Sequence, residues 1–138
     1  MDDFFLPAKL RSAGRLAAAG GHVHYERFAV EVLPHIRKNV DFSYRIFDCK
    51  QMDFNGRRQV KAAGWRIVEG AYALHPLFEK DADINLFFDI APAEQMRRIT
   101  KRNGVKAAKI FAERWIPMEE KHIRENRVIE RADLILGR

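Results

Sequence analysis

The chain is short of cysteine, of long apolar runs and of repetition, and each shortage narrows what it can be. One cysteine, Cys49, cannot close an internal disulfide, so the sequence is expected to work in a reducing cytoplasm. No stretch approaches the roughly 20 apolar residues that a spanning helix needs. Runs such as Ile84–Phe88 are broken by Asn85 and closed by Asp89, so no membrane partner is expected. The first residues after Met1 are the acids Asp2 and Asp3, not a basic stretch leading into an apolar one, which argues against a secretory signal. Neither an internal repeat nor a low-complexity tract occurs.

What is present is an ordinary globular composition, with 47% hydrophobic and 32% charged residues over 138 positions. That is enough for one domain with a real core. The net charge of +6 is concentrated: Arg97–Arg131 holds eleven Lys/Arg against five Asp/Glu, and the rest of the chain is balanced. A local cationic segment suits a polyphosphate ligand as well as a nucleic-acid backbone, and charge alone does not choose.

Periodicity and punctuation give the expected elements. Arg11–Gly21 reads as a short helix or loop ending at Gly20-Gly21. Tyr25–Arg37 reads as an amphipathic helix on Phe28, Val32 and Ile36, interrupted by Pro34. Asp41–Gly64 reads as a surface hairpin with its turn at Asn55-Gly56. Trp65–Glu69 and Ile84–Ile90 read as buried strands, and Ala132–Leu136 as a third. Between the last two lie a helix opened by Pro92 and closed at Gly104, a second over Val105–Trp115, and a third from Pro117 to about Glu130. Buried strands alternating with helices predict an α/β fold: a parallel sheet with helical crossovers. Trp65 and Trp115 are expected at the core or its margin, and Cys49 is expected to be packed.

In a parallel sheet, ligands bind beyond the carboxyl ends of the strands. Asp2 and Asp3 stand before the aromatic pair Phe4-Phe5, Glu69 closes a strand and is followed by Gly70, and Asp89 ends the next strand. An acid at a strand end with glycine after it can hold a Mg²⁺-bound water or polarise a hydroxyl, which favours Glu69 as functional. Asp89, before Ala91-Pro92, is expected to cap the following helix. Arg98 and Arg102 share one helix face and are able to clamp phosphates, although a solvated surface with i, i+4 pairs such as Glu120–Arg124 explains the pattern too. His22 and His24, without a cysteine or acid beside them, read as a surface turn and not as a zinc site.

These residues carry a family resemblance. Met1-Asp2-Asp3-Phe4-Phe5-Leu6-Pro7 resembles the segment after the second strand of bacterial uridine-kinase-like proteins. Gly20–Phe28 (GGHVHYERF) is similar to that family's GGNVDYERF, and Tyr44–Cys49 (YRIFDC) to its YRPFDC. Ile67–Pro76 (IVEGAYALHP) resembles VVEGxYSLHP. Leu86–Ile90, Arg98–Gly104 and Trp115-Ile116-Pro117 resemble the strand, lid and post-lid helix. The motifs cover nearly the whole chain in the right order.

The resemblance implies one partial P-loop kinase domain over 1–138 with a helical lid at about 97–127, and transfer of the ATP γ-phosphoryl group to a hydroxyl, with Mg²⁺. Asp2 would act near the acceptor hydroxyl and, with Glu69, hold Mg²⁺ through water. Arg98 and Arg102 would contact ATP phosphates. Phe5, His24, Tyr44, Phe47, Asp48 and His75 fall in the acceptor region. His24 stands where the family carries an Asp, and no His follows Phe47-Asp48, so the acceptor is expected to be a nucleoside or another small hydroxylated molecule.

No G-x-x-x-x-G-K-[ST] occurs, so the first strand, phosphate loop and first helix of such a core are expected to be missing, with Met1 internal to a longer reading frame or the chain a fragment. In the P-loop kinase fold that strand lies mid-sheet, which would leave Trp65–Val68 and Leu86–Ile90 without the neighbour between them. The 138 residues alone are expected to be inactive, and their open strand edges to favour homo-oligomers. The other readings are a non-catalytic homologue that binds or interacts without chemistry, and a basic nucleic-acid-binding protein; a nucleic-acid partner is the less expected.

Overall fold

The computed structural model describes residues 1–137. The chain is mixed α/β and divides into two compact units, Met1–Ala82 and Asp83–Arg138.

In the first unit, Ser12 caps α1 (Ala13–Ala17), its hydroxyl accepting the Arg15 N–H at 3.1 Å. The Tyr25–Arg37 helix forms as two pieces, α2 (Tyr25–Glu31) and α3 (Leu33–Lys38), because Pro34 can sit only in a first helical turn. Between them Val32 leaves helical geometry at φ −122°. The buried positions of these helices, Phe28, Val32 and Leu33, pack with Phe4, Val23, Phe42 and Phe78 as the core of this unit. Phe4 meets Phe28 edge-on at 5.1 Å.

The hairpin forms as β1 (Phe42–Asp48) and β2 (Asp53–Val60), antiparallel. Its turn lies at Cys49–Met52 and not at Asn55-Gly56. Asp48 Oδ1 accepts the Lys50 N–H at 2.7 Å, an Asx-type bond that fixes the reversal there. Asn55-Gly56 lies instead where the register shifts between Arg45 and Phe47, and Gly56 takes φ 84° there. Cys49, expected to pack, is exposed in the turn.

Trp65–Val68, expected as a strand, forms none. A strand exists only through a ladder partner, and none of the described residues supplies one along this run. Trp65 is 87% and Ile67 90% exposed, so Trp65 packs in no core. His22, expected in a surface turn, is buried, with Tyr72 edge-on at 4.6 Å.

The second unit is a single strand–helices–strand crossover. β3 (Leu86–Phe88) leads into α4 (Pro92–Asn103), α5 (Val105–Ile110), a π-helical turn at Phe111–Trp115, α6 (Ile116–Glu125) and β4 (Leu134–Leu136). β3 and β4 pair in parallel, Leu86 opposite Leu134 and Phe88 opposite Leu136. Asp133, the one charge at the start of β4, accepts the Asn85 N–H at 2.6 Å. Asp89 is not in the N-cap position of α4: that position is Ala91, without a side-chain cap, while the Asp89 N–H extends the ladder to the Leu136 oxygen at 2.8 Å. The α6 helix stops at Glu125, short of Glu130. Expected as one larger parallel sheet, the strands thus form two small sheets, one antiparallel and one parallel.

Candidate functional site

A short 3₁₀ turn at Asp2–Phe4 opens the first unit. Phe4, 3% exposed, nails this turn into the core and leaves Asp2 exposed and Asp3 half-buried at the surface. Beside it the chain passes through Glu69, whose backbone oxygen accepts a hydrogen bond from Met1 N at 2.7 Å. Gly70 follows at φ 136°, a conformation that L side chains rarely adopt, and a Cβ there would lie 2.9 Å from the Met1 Cβ. Glycine is therefore what lets the two segments approach.

The result is a cleft of about 460 Å³ lined by Met1, Asp2, Asp3, Phe4, Tyr44, Arg58 and Glu69. Asp2 and Glu69, the two acids singled out from sequence, meet in it, and Tyr44 joins them. Tyr44 donates its hydroxyl hydrogen to Asp3 Oδ2 at 3.0 Å, and Arg58 Nε donates to the same oxygen at 3.0 Å. Burial, and then the bond to Asp3, push the Tyr44 hydroxyl up to about 12. Arg58 pairs with Asp3, and the other two carboxylates that line the cleft are Asp2 and Glu69.

Arg58 is a polar cleft residue that sequence reasoning missed, and Asp3 one that it noted beside Asp2 but gave no role. The signal for Arg58 was register: it stands directly opposite Tyr44 across the hairpin. The signal for Asp3 was its place between Asp2 and the buried Phe4.

The remaining expected site residues lie around the cleft or away from it. Phe5 bridges to Val23, with its ring 5.7 Å from His22. His24 heads α2, its N–H bonded to the Phe4 oxygen at 2.7 Å. Burial, and next the nearby Arg27 charge, hold the His24 imidazole below its ordinary range, so neutral imidazole is favoured. Phe47 is buried edge-on against Phe54 at 5.7 Å. Asp48 is engaged in the hairpin turn. His75 stacks on Tyr25 at 4.2 Å, and its Nδ1 accepts the Leu77 N–H at 3.3 Å.

In the second unit, Arg98 and Arg102 are exposed on α4. Arg98 donates to Glu94 at 2.7 Å and Arg102 to Asn103 at 2.8 Å. The i, i+4 pairs that form further along are Lys109–Glu113 and Lys121–Glu125.

No protein-family model matches the chain, and no curated protein matches it.

Proposed function

We propose that these residues form the acid and acceptor side of an ATP-dependent phosphotransferase of the uridine-kinase type, with a phosphate-clamping helix in the second unit. The observation that carries this reading is the shared cleft: Asp2, Tyr44 and Glu69, far apart in sequence, line one polar cavity of about 460 Å³. That volume suits a small hydroxylated molecule such as a nucleoside or a sugar.

In this reading the acceptor hydroxyl attacks the γ-phosphorus, the new O–P bond forms as the bond to ADP breaks, and Asp2 takes the hydroxyl proton. Asp2 suits that role because it is exposed in the cleft, whereas Asp3 is occupied by Tyr44 and Arg58. The donor set also fits Mg²⁺. Three carboxylates line the cleft, and with Asp3 engaged by Tyr44 and Arg58 two are left, Asp2 and Glu69. An ion that keeps most of its water and takes only one or two carboxylates matches that pattern. Asp2 and Glu69 would hold Mg²⁺, which would there supply neutralisation of phosphate charge. Arg98 and Arg102 serve the phosphates by exchanging Glu94 and Asn103 for phosphate oxygens, which a guanidinium can bind in bidentate fashion.

The same reading accounts for three features of the fold. The Met1 turn and Glu69 are joined through backbone, β3 and β4 pair in parallel, and Trp65–Val68 lies exposed without a ladder. A P-loop kinase core without its central strand would show such features. Phosphotransfer itself calls for a backbone N–H cradle, and the sequence has no G-x-x-x-x-G-K-[ST] run to supply it.

The test is thermal unfolding of the 138-residue chain with MgCl₂ and, separately, with uridine, ribose and Mg-ATP. Stabilisation by Mg²⁺ and by a hydroxylated acceptor, lost in D2N and E69Q, is expected, with little from Mg-ATP. Stabilisation that persists undiminished in both variants would place binding elsewhere and defeat the proposal.

A further inference from the structure

Arg27 is 4% exposed, a guanidinium almost wholly withdrawn from water. A buried charge of this kind is costly unless its hydrogen bonds are good. From α2 it reaches three elements at once. One terminal nitrogen donates to the Arg45 backbone oxygen in β1 at 2.7 Å and to Glu31 at 3.2 Å. The other donates to the Asp3 backbone oxygen. Its guanidinium carbon lies 4.1 Å from the centre of the Phe4 ring and 5.1 Å from that of Phe54 in β2.

Every group on that roll belongs to the acid turn, to the hairpin carrying Tyr44 and Arg58, or to α2 itself. Other backbone bonds hold the ends of the turn, including Met1 N to the Glu69 oxygen at 2.7 Å, but the Asp3 oxygen at its middle is held by Arg27. Within it the Phe4 N–H bonds to the Met1 oxygen at 2.9 Å, and from outside the His24 N–H bonds to the Phe4 oxygen at 2.7 Å. Tyr44 and Arg58 tie the hairpin to the Asp3 side chain; the guanidinium is the link that grips the turn by its backbone and joins it to both the hairpin and α2.

We infer that Arg27 is a positioning residue, whose planar fork fixes the Asp2–Phe4 turn against the β1–β2 hairpin and so keeps Asp2, Asp3 and Tyr44 in one cleft. A lysine retains the charge but not the fork: a single ammonium cannot reproduce the directed bonds to Asp3, Arg45 and Glu31 together. Charge and geometry are thereby separable by substitution. The contribution to the cleft's arrangement stands on the contacts alone. Its bearing on cation binding rests on the function proposed above.

The experiment compares R27K, R27M, E31Q and the core control F78L by two readouts. The first is the ¹³Cζ resonance of Tyr44 at neutral pH, assigned with Y44F, which reports the hydroxyl's bond to Asp3 without any ligand. The second is Mn²⁺ affinity. In R27K and R27M the Tyr44 resonance is expected to move toward that of a solvated tyrosine. In E31Q, which leaves the bonds to Asp3 and Arg45 intact, and in F78L it is expected to stay.

Mn²⁺ affinity is expected to fall about tenfold in R27K, the size typical of losing a group that orients a metal-binding carboxylate. An unmoved Tyr44 resonance in folded R27K, or an equal movement in E31Q or F78L, would overturn the positioning role. Should R27M fail to fold, R27K and E31Q decide. A moved resonance with no Mn²⁺ binding even in the unsubstituted chain would leave Arg27's role standing and count against the proposed function instead.

Discussion

Tyr44 and Asp3, 41 residues apart in sequence, share a hydrogen bond of 3.0 Å that closes one wall of the cleft. Arg58 stands opposite Tyr44 in the hairpin and bonds the same Asp3 oxygen, so a strand-to-strand pair and an N-terminal turn meet on one carboxylate. The acid beside it, Asp2, remains for other work.

The Tyr44 hydroxyl, shifted by burial first and by its bond to Asp3 second, has a pH signature. The Tyr44 hydroxyl is pushed from 10.0 up to about 12 in the folded chain, so the unfolded chain loses this proton first as pH rises. The folded state then binds more protons than the unfolded one, and stability declines with pH. Tyr44 therefore contributes stability that is whole below pH 10 and is lost as pH climbs to about 12. Y44F is expected to show a shallower fall in melting temperature over that interval, measured by circular dichroism beside the unsubstituted chain. Parallel curves would deny that the hydroxyl is buried and bonded as described.

Gly70 gives a steric test of how Glu69 meets the acid turn. With φ at 136° and the Met1 Cβ 2.9 Å from a built Cβ, G70A is expected to destabilise the first unit by at least about 1 kcal/mol. It should also weaken Mg²⁺ binding. G64A, where an added Cβ meets nothing within 4 Å, is the control and should do neither. Urea unfolding and thermal shift with MgCl₂ read both effects.

The α4 helix separates its own ion pairs from any ligand role. Glu94 is held down to about 2 by its hydrogen bonds to Arg97 first and Arg98 second. A depressed carboxyl contributes above its unfolded value of 4.5, and the contribution fades as pH falls toward about 2. The difference in helix content between the unsubstituted chain and E94Q is expected to close over that range. E94Q also frees Arg97 and Arg98, so it should bind inorganic tripolyphosphate more tightly than the unsubstituted chain, by calorimetry. Weaker binding would mean that the pair orients the arginines instead of occupying them.

Local signals were legible where the chain punctuates itself. Pro92 and Gly104 bracket α4, and Pro34 divides the helical run at Val32, because those residues act on their own backbone whatever surrounds them. The hairpin was legible as a hairpin, but Asn55-Gly56 outweighed the Asx-type bond of Asp48 in the sequence reading. That error hid a site residue. A turn centred on Asn55-Gly56 would set Ile67 opposite Tyr44, while the real turn sets Arg58 there.

Trp65–Val68 was illegible for a different reason. Its pattern fits a buried strand, yet a strand depends on a partner, and the pattern cannot say whether one is at hand. The buried His22 likewise depended on where Tyr72 arrives, 50 residues later. In the candidate site, the acids could be read from their motifs. Their meeting depends on backbone bonds such as Met1 to Glu69, which leave no mark on residue type.

The most direct test of the central claim is a Mn²⁺ titration of the isotopically labelled 138-residue chain, followed by amide NMR. We expect paramagnetic broadening to begin at Asp2, Asp3, Glu69 and Gly70, to be competed by Mg²⁺, and to vanish in D2N and E69Q. Broadening that begins elsewhere, or that survives both substitutions, would contradict the assignment of the cleft as the cation and acceptor site.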